Sequence, residues 1–195
     1  MIRRRDAEAT RQALLDAARS RFARDGYAAS TVRDIAADAG ANVSLIGRYF
    51  TSKEGLFEAC LESAGRSVSQ ASGTVLTLSD VADAISRDAT GITPGAPPAD
   101  SLLLLLRSSG DEQAERIRVG VLRTYSERIA GLAGWTDGVP DRDHLLLRAQ
   151  VVLAAALGLA VLRTTTGMEP LASADASSLA APVTDLVSAL LSPHR

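Results

Sequence analysis

The chain has 195 residues, of which 46% are apolar, enough for a sizeable core and too many for bulk disorder. The formal net charge is −2, but its distribution is uneven. Residues 1–53 carry ten basic and six acidic groups, whereas the remainder carries eleven basic and seventeen acidic groups. A basic amino-terminal part on an acidic body suits contact with a polyanion at one end, and chance clustering is the alternative.

The sequence shows no sign of export or of membrane insertion. Cys60 is the single cysteine, so no internal disulfide can form, which fits a reducing cytoplasm. No apolar stretch follows the arginines near the amino terminus, which argues against a secretory signal. The longest apolar run, Val151 to Leu162, is shorter than the roughly 20 residues that cross a bilayer. We therefore expect a cytoplasmic protein without a membrane partner.

Two helices are predicted before residue 41. The first ends at Gly26, and its apolar stripe consists of Leu14, Leu15, Ala18 and Phe22. Thr31 and Asp34 have the spacing of a capping box, which opens a short helix that ends at Gly40. Arg3, Arg4 and Arg5 precede the first helix in this interpretation. They form either a solvated tail or an arm that follows phosphates or the minor groove.

Two more helices follow directly. Asn42 is a good cap for a short helix that runs to about Phe50. Residues Thr51 to Glu54 form a second capping box, which opens a longer helix. One side of that helix carries Leu56, Phe57, Cys60 and Leu61. Two short helices joined by a tight glycine turn, here at residues 39–42, are typical of a helix-turn-helix.

Helices also account for the rest of the chain, and no strand pattern is present. The predicted helices are Val75 to Ala89, an apolar helix from Leu102 to Leu106 broken near Gly110, an amphipathic helix containing Ile117, Val121, Tyr125 and Ile129, a helix from Asp141 to about Thr166, and a last helix from about Asp175 to Leu191. The predicted connections between them are a loop over 91–98, a loop from Gly131 to Pro140 and a segment from Gly167 to Ser173.

Two motifs carry a resemblance to a known family. They are Thr31-Val-Arg-Asp-Ile-Ala-Ala-Asp-Ala-Gly40 and Tyr49-Phe50-Thr-Ser-Lys-Glu-Gly-Leu56. Together they resemble the DNA-binding signature of TetR-type transcriptional regulators, over roughly residues 8–60. The resemblance implies an all-α fold of about nine helices. A three-helix helix-turn-helix head would occupy residues 1–62, and a helical bundle for ligand sensing and dimerisation would occupy residues 63–195.

The third helix is the predicted recognition helix. Ile46 and Phe50, four residues apart, can hold it to the core, which leaves its other face free for the major groove. Arg48 could contact guanine through two hydrogen bonds or hold a phosphate, and Lys53 suits a phosphate contact. Thr31 and Arg33 resemble the family's backbone-gripping positions. The full predicted DNA-binding set is Thr31, Arg33, Asn42, Val43, Ser44, Gly47, Arg48, Tyr49 and Lys53.

Gly47 departs from the family pattern, which usually has tyrosine at this position. Glycine in a short helix costs roughly 1 kcal/mol relative to alanine. Either Gly47 lets the backbone approach DNA closely, or Tyr49 takes over a phosphate contact. The sequence leaves both interpretations open.

The resemblance implies that the last two long helices pair with their copies in a homodimer. Their apolar stripes agree with this, and the residues involved are Val152, Ala155, Ala156, Leu159, Val161, Leu162, Leu179, Val183, Leu186, Val187, Leu190 and Leu191. Burial of these faces within a monomer is the alternative. A small apolar effector is expected to shift the spacing of the two heads. Candidate pocket residues are Leu102, Leu105, Leu106, Leu122, Tyr125, Trp135 and Arg163.

Other functional classes fit less well. His144 and His194 are the only histidines, and no catalytic residue, metal spacing or phosphate-cradling loop is present, so we expect neither an enzyme nor a cofactor. A helical protein-interaction module would not need the residue 39–42 turn. The expected function is a ligand-released repressor that binds a palindromic operator in double-stranded DNA, with an activator of the same fold as the alternative.

Overall fold

The computed structural model describes residues 2–64, 77–90, 104, 110–136 and 142–192. These ranges hold eight helices and no strand, so the predicted all-α fold is confirmed. The helices are α1 (Ile2–Asp25), α2 (Val32–Asp38), α3 (Ser44–Phe50), α4 (Lys53–Ala64), α5 (Leu78–Thr90), α6 (Glu112–Leu132), α7 (Arg142–Thr165) and α8 (Ala176–Leu191). The predicted loop over 91–98 lies outside the described residues.

Helix α1 is longer than the sequence predicts. It begins at Ile2, so the prediction that Arg3, Arg4 and Arg5 precede the first helix is wrong. Arginine has a good helix propensity, which allows the helix to include that stretch. The helix ends at Asp25, and Gly26 follows with a φ of +84°, as the prediction of a glycine stop requires.

Helices α1 to α4 share one apolar core. The predicted stripe of α1 is fully buried, as are the four predicted core residues of α4. The rings of Phe22, Tyr27 and Phe57 pack together with centroids 4.9–5.6 Å apart. Aromatic pairs at such distances stabilise beyond their buried area. These contacts fix the orientation of the two short helices that α1 and α4 support.

Helix α6 joins this core to a second one. Its first two thirds contribute Ala114, Val121 and Tyr125 to the core of the head. Its last turns contribute Ile129 and Ala130 to a second cluster, which is formed with α5, α7 and α8. The head is therefore packed directly against the body along α6.

Part of the predicted dimer interface on α7 and α8 is wrong. Five of the apolar residues assigned to the interface are buried inside the same chain, because they face α5 and form the second cluster: Val152, Leu179, Val183, Val187 and Leu191. The exposed stripe of α7 contains Leu162, which belongs to the predicted set, together with Leu147 and Val151, which do not. Leu186 of α8 is also exposed.

Helix α7 is more apolar than its longest uninterrupted run suggests. The stretch Arg142–Arg163 is, by length and composition, long enough to cross a membrane, and its most apolar 18 residues have a mean hydropathy of 2.2. In this fold it packs against α5, α6 and α8. A core helix of a helical bundle has the same composition, so this property alone does not identify a membrane span.

Candidate nucleic-acid interface

The turn between α2 and α3 has the geometry of a Schellman motif. The N–H of Ala41 donates to the carbonyl of Ala36 over 2.9 Å, and the N–H of Gly40 donates to Ala37 over 3.0 Å. Gly40 has a φ of +60°, which a residue with a Cβ rarely adopts. The chain therefore turns sharply after α2, as the sequence predicts.

Thr31 caps α2, but the capping box is incomplete. Thr31 Oγ1 accepts a hydrogen bond from the backbone N–H of Asp34 over 3.2 Å. The Asp34 carboxylate accepts from the Thr31 hydroxyl over 2.7 Å instead of from the backbone N–H of Thr31. Both residues lie near the head's surface, and Arg33 beside them is exposed. Thr31 and Arg33 are therefore accessible at the start of α2.

Asn42 caps α3 as predicted. Its side-chain oxygen accepts from the backbone N–H of Ser44 over 2.9 Å and from the Ser44 hydroxyl over 2.7 Å. These bonds satisfy one of the free N–H groups at the helix start. They also fix the orientation of two polar side chains that are predicted to face DNA.

The faces of α3 divide as the sequence predicts. Ile46 is 2% exposed and Phe50 is 6% exposed, so both anchor the helix to the core of the head. The opposite face is open to solvent, and it consists of Asn42, Val43, Ser44, Gly47 and Arg48. Val43 is 42% exposed, so its methyl groups are accessible from solvent. This face can receive a ligand without any rearrangement of the core.

Gly47 lies at the centre of the exposed face. A Cβ built at this position would meet no described atom within 4 Å, so packing against the described residues does not require glycine. Tyr49 is half-buried, with its ring 6.3 Å from that of Phe50. The Arg48 guanidinium lies 6.0 Å from the centre of the Tyr49 ring, within range of a weak cation–π contact.

A strained turn separates α3 from α4. Thr51 has a φ of +70° and a ψ of −48°, and the N–H of Ser52 donates to the Phe50 carbonyl over 2.8 Å. These values describe a γ-turn with a positive central φ, which is rare for a β-branched residue. The prediction of a capping box that begins at Thr51 is therefore wrong. Ser52 is the cap, and its Oγ accepts from the N–H of Gly55 over 3.2 Å.

Gly55 is a structurally required position that the sequence pattern did not predict. A Cβ at this residue would lie 2.1 Å from the Phe50 carbonyl oxygen, which belongs to the last residue of α3. Only glycine allows α4 to approach the end of α3 this closely. Its position in the first turn of a helix, where glycine is unfavourable, is the signal that could have revealed it.

Lys53 is held against the head by an aromatic ring. Its Nζ lies 4.1 Å from the centre of the Tyr27 ring, and the Tyr27 hydroxyl donates to Glu54 over 3.2 Å. Burial lowers the pKa of the Lys53 amine. The hydrogen bond from Ser52 lowers the pKa of Glu54. Lys53 therefore has a defined position beside the end of α3.

Charged side chains clamp α1 to α2. Arg21 donates to both carboxylate oxygens of Asp38, over 2.7 and 3.0 Å, and lies 3.8 Å from Asp34. The hydrogen bond from Arg21 lowers the pKa of Asp38. The hydrogen bond from Arg24 likewise lowers the pKa of Asp25. This clamp helps to set the position of α2 and of the turn that follows.

The four candidate ligand-pocket residues that the structure describes do not all lie in one place. Leu102, Leu105 and Leu106 lie outside the described residues. Leu122 and Tyr125 pack with the core of the head, whereas Trp135 packs with the second cluster. The pocket stays a prediction.

Two polar groups of the predicted pocket, on Tyr125 and Arg163, already have hydrogen-bond partners, whereas the buried Nε1 of Trp135 has none among the described residues. The Tyr125 hydroxyl donates to the Glu62 carbonyl over 2.8 Å. Arg163 donates to the carbonyls of Ala89, over 2.9 Å, and of Leu171. The guanidinium of Arg142 lies 4.3 Å from the centre of the Trp135 ring.

Comparison with known protein families matches both parts of the chain. The family model described as "Bacterial regulatory proteins, tetR family" matches residues 14–60. The model described as "Tetracyclin repressor-like, C-terminal domain" matches residues 81–191. An HTH-type transcriptional repressor of Mycobacterium tuberculosis is 28% identical over 191 residues, which cover 93% of this chain and 89% of the relative.

Solved structures share the fold. A TetR-family transcriptional regulator from Syntrophomonas wolfei superposes with a TM-score of 0.64 at 17% identity, covering 94% of this chain and 95% of that one. The fatty acid degradation regulator of Bacillus halodurans superposes with a TM-score of 0.59 at 23% identity, covering 94% and 99%. At these identities the likeness concerns the fold alone.

Proposed function

Because the chain belongs to the TetR family of bacterial transcriptional regulators, we propose that it is a dimeric repressor that binds a palindromic operator and is released by a small molecule. The observation that carries the DNA-binding part is the exposed face of α3 on a rigid support. Ile46 and Phe50 anchor one side of the helix, and the polar and small residues of the other side are accessible. The relative described as a repressor favours repression over activation.

The contacts with DNA follow from the positions of the side chains. Arg48 and the residues around Gly47 read base edges in the major groove, where the exposed Val43 suits a thymine methyl group. Thr31, Arg33 and Lys53 hold phosphates on either side of the recognition helix. Asn42, Ser44 and Tyr49 complete the surface. The domain division at about residue 62 separates this head from the sensing body.

The dimer uses the exposed stripe of α7 together with α8. These helices border a groove of about 960 Å³, with Leu162 and Leu186 on its walls and Gly158 in its lining. Only 22% of the most apolar stretch of α7 is buried within one chain. A second copy that covers this surface removes it from water, and it also presents two recognition helices related by two-fold symmetry. We place this dimer in the cytoplasm.

Release of the repressor from DNA is a shift between two conformations of the dimer. A ligand that favours one spacing of the heads moves them out of register with successive major grooves. This requires half-sites about 34–36 Å apart in the DNA-bound form.

A gel-shift assay with the DNA upstream of the chain's own gene tests the proposal, followed by footprinting. We expect one protected region with two symmetric half-sites. A chain that is folded and dimeric but binds all DNA sequences equally would contradict sequence-specific regulation.

A further inference from the structure

A cleft of about 540 Å³ lies between the head and the body, outside the groove assigned to dimerisation. Helices α1 and α4 form one side of it, and α6 forms the other. Its volume is in the range of small-molecule sites. The cleft is distinct from the predicted set of pocket residues, with which it shares Tyr125 alone among the described residues.

The cleft combines an apolar lining with arginines. Ala59, Ile117 and Val121 line it, and Arg11, Arg116 and Arg128 contribute cationic groups. Arg116 donates to the Glu112 carbonyl and to the side-chain oxygen of Gln113, which are both uncharged acceptors. These bonds leave the charge of Arg116 available to an anion. On α4, Glu58 and Glu62 lie opposite and are exposed.

Gly120 lies in the lining of this cleft, in the interior of α6. Glycine there costs roughly 1 kcal/mol relative to alanine. A Cβ at Gly120 would meet no described atom within 4 Å, so contacts with the described residues do not account for this glycine. The space above it is available to a bound molecule.

Arg11 connects the cleft to the DNA-binding surface. Its guanidinium lies 5.2 Å from the centre of the Phe50 ring, and Phe50 is the buried last residue of α3. On the other side, the Tyr125 hydroxyl ties α6 to the Glu62 carbonyl of α4. A molecule in the cleft therefore touches residues that hold the recognition helix and the head–body contact.

We propose that this cleft binds an amphipathic organic anion, with its acidic group at Arg116 and Arg11 and its apolar part over Gly120, Ile117 and Val121. A ligand that draws Arg11 away from Phe50 loosens the support of α3. This last step rests on the proposed function as a DNA-binding regulator, whereas the site itself does not.

Binding is measured by calorimetry on the full chain without DNA, so a failure of DNA recognition cannot affect the result. The probes are phenylbutyrate, phenylbutanol and phenylbutylamine, which share one apolar body and differ in charge. We expect phenylbutyrate to bind more tightly than the neutral alcohol, and the amine to bind most weakly. Equal binding of all three, or no binding of phenylbutyrate at millimolar concentration, would overturn the proposal.

Substitutions locate the site. Arg116→Gln should weaken phenylbutyrate binding roughly tenfold, because it removes a charged hydrogen-bond donor. Glu58→Gln should strengthen binding, because it removes a repulsive charge. Gly120→Phe should abolish binding by filling the cleft while leaving the melting temperature unchanged or higher.

Arg123→Gln is the matched control, because Arg123 is on the same helix but lines a separate groove between α6 and α7. It should bind phenylbutyrate like the parent. Loss of binding in Arg123→Gln but not in Arg116→Gln would place the ligand in that other groove and refute this site. A gel shift with phenylbutyrate then tests release separately.

Discussion

At the scale of single residues, two glycines of the head have opposite surroundings. Gly55 lies against the backbone of α3, where a Cβ would approach the Phe50 carbonyl oxygen to 2.1 Å. Gly47 lies on the exposed face of α3, where a Cβ would meet no described atom within 4 Å. One glycine is therefore required by the fold, and the other is free to serve an external partner.

We expect Gly55→Ala to destabilise the head by about 2 kcal/mol, as backbone shifts forced by overpacking typically do. The γ-turn at Thr51 has little freedom to relieve the clash, because Thr51 is already strained. Urea denaturation followed by circular dichroism measures the change. An unchanged midpoint would show that α4 can move away from α3 at little cost.

We expect Gly47→Ala to raise stability by up to about 1 kcal/mol, because alanine is the better helix former. Operator affinity should fall if the backbone at Gly47 approaches DNA closely. The same denaturation series and a gel shift test this variant. Unchanged affinity would favour the alternative, in which Tyr49 makes the phosphate contact.

Several of these residue details are readable from the sequence and others are not. The Asn42 cap, the Gly40 stop and the burial of Ile46 and Phe50 follow from local spacing, because caps and stripes depend on near neighbours. The γ-turn at Thr51 does not, because it depends on how closely α3 and α4 pack. Two similar capping-box sequences, at Thr31 and at Thr51, therefore adopt different structures.

At the scale of helices, ion pairs and exposed stripes determine which elements pair. Arg21 and Asp38 join the end of α1 to the end of α2. The exposed stripe of α7 has no such partner among the described residues of the same chain. The sequence predicted that α7 and α8 are apolar, but it could not tell which face the chain covers by itself. The buried faces are determined by α5, which packs against Val152 of α7 and Val183 of α8.

We expect the stability of the head to decrease in acid. The pKa of Asp38 and that of Asp25 are lower in the folded chain than in the unfolded chain. The two carboxylates therefore make their full contribution to the free energy of unfolding above the unfolded pKa of about 3.9, and this contribution is lost as pH falls through the folded pKa. Melting temperatures between pH 6 and pH 2.5 measure this loss, in a pH range where carboxylates titrate.

Asp38→Asn is the matching variant, since it retains shape and removes the titrating group. Its melting temperature should depend less on pH than that of the parent in the same range. Identical pH profiles for the two proteins would show that the clamp adds nothing to stability.

We expect Val151→Glu to convert the dimer to a monomer, because it places a charge on the exposed stripe of α7. Val151 is 44% exposed in one chain, so the substitution should not disturb the fold. Gln150→Glu adds the same charge at the neighbouring exposed position and should leave the dimer intact. Sedimentation velocity distinguishes the two species. A dimeric Val151→Glu would place the interface elsewhere.

At the scale of the whole molecule, α6 makes the head and the body parts of one packed structure. It contributes to the core of the head and to the second cluster. The Tyr125 hydroxyl ties α4 to α6 by a hydrogen bond to the Glu62 carbonyl. A change in the body can therefore reach the recognition helix through α6 and α4. The sequence could not show this, since it depends on contacts between residues far apart in the chain.

The central claim is that the exposed face of α3 reads DNA, and a gel shift with two charge-matched variants tests it most directly. Arg48→Ala removes the exposed cation of α3. Arg123→Ala removes an exposed cation of α6, which is not part of the recognition helix. We predict that Arg48→Ala weakens operator binding by about 1–3 kcal/mol, roughly fivefold to 150-fold, and that Arg123→Ala binds like the parent. Equal affinities for the parent and both variants would contradict the account.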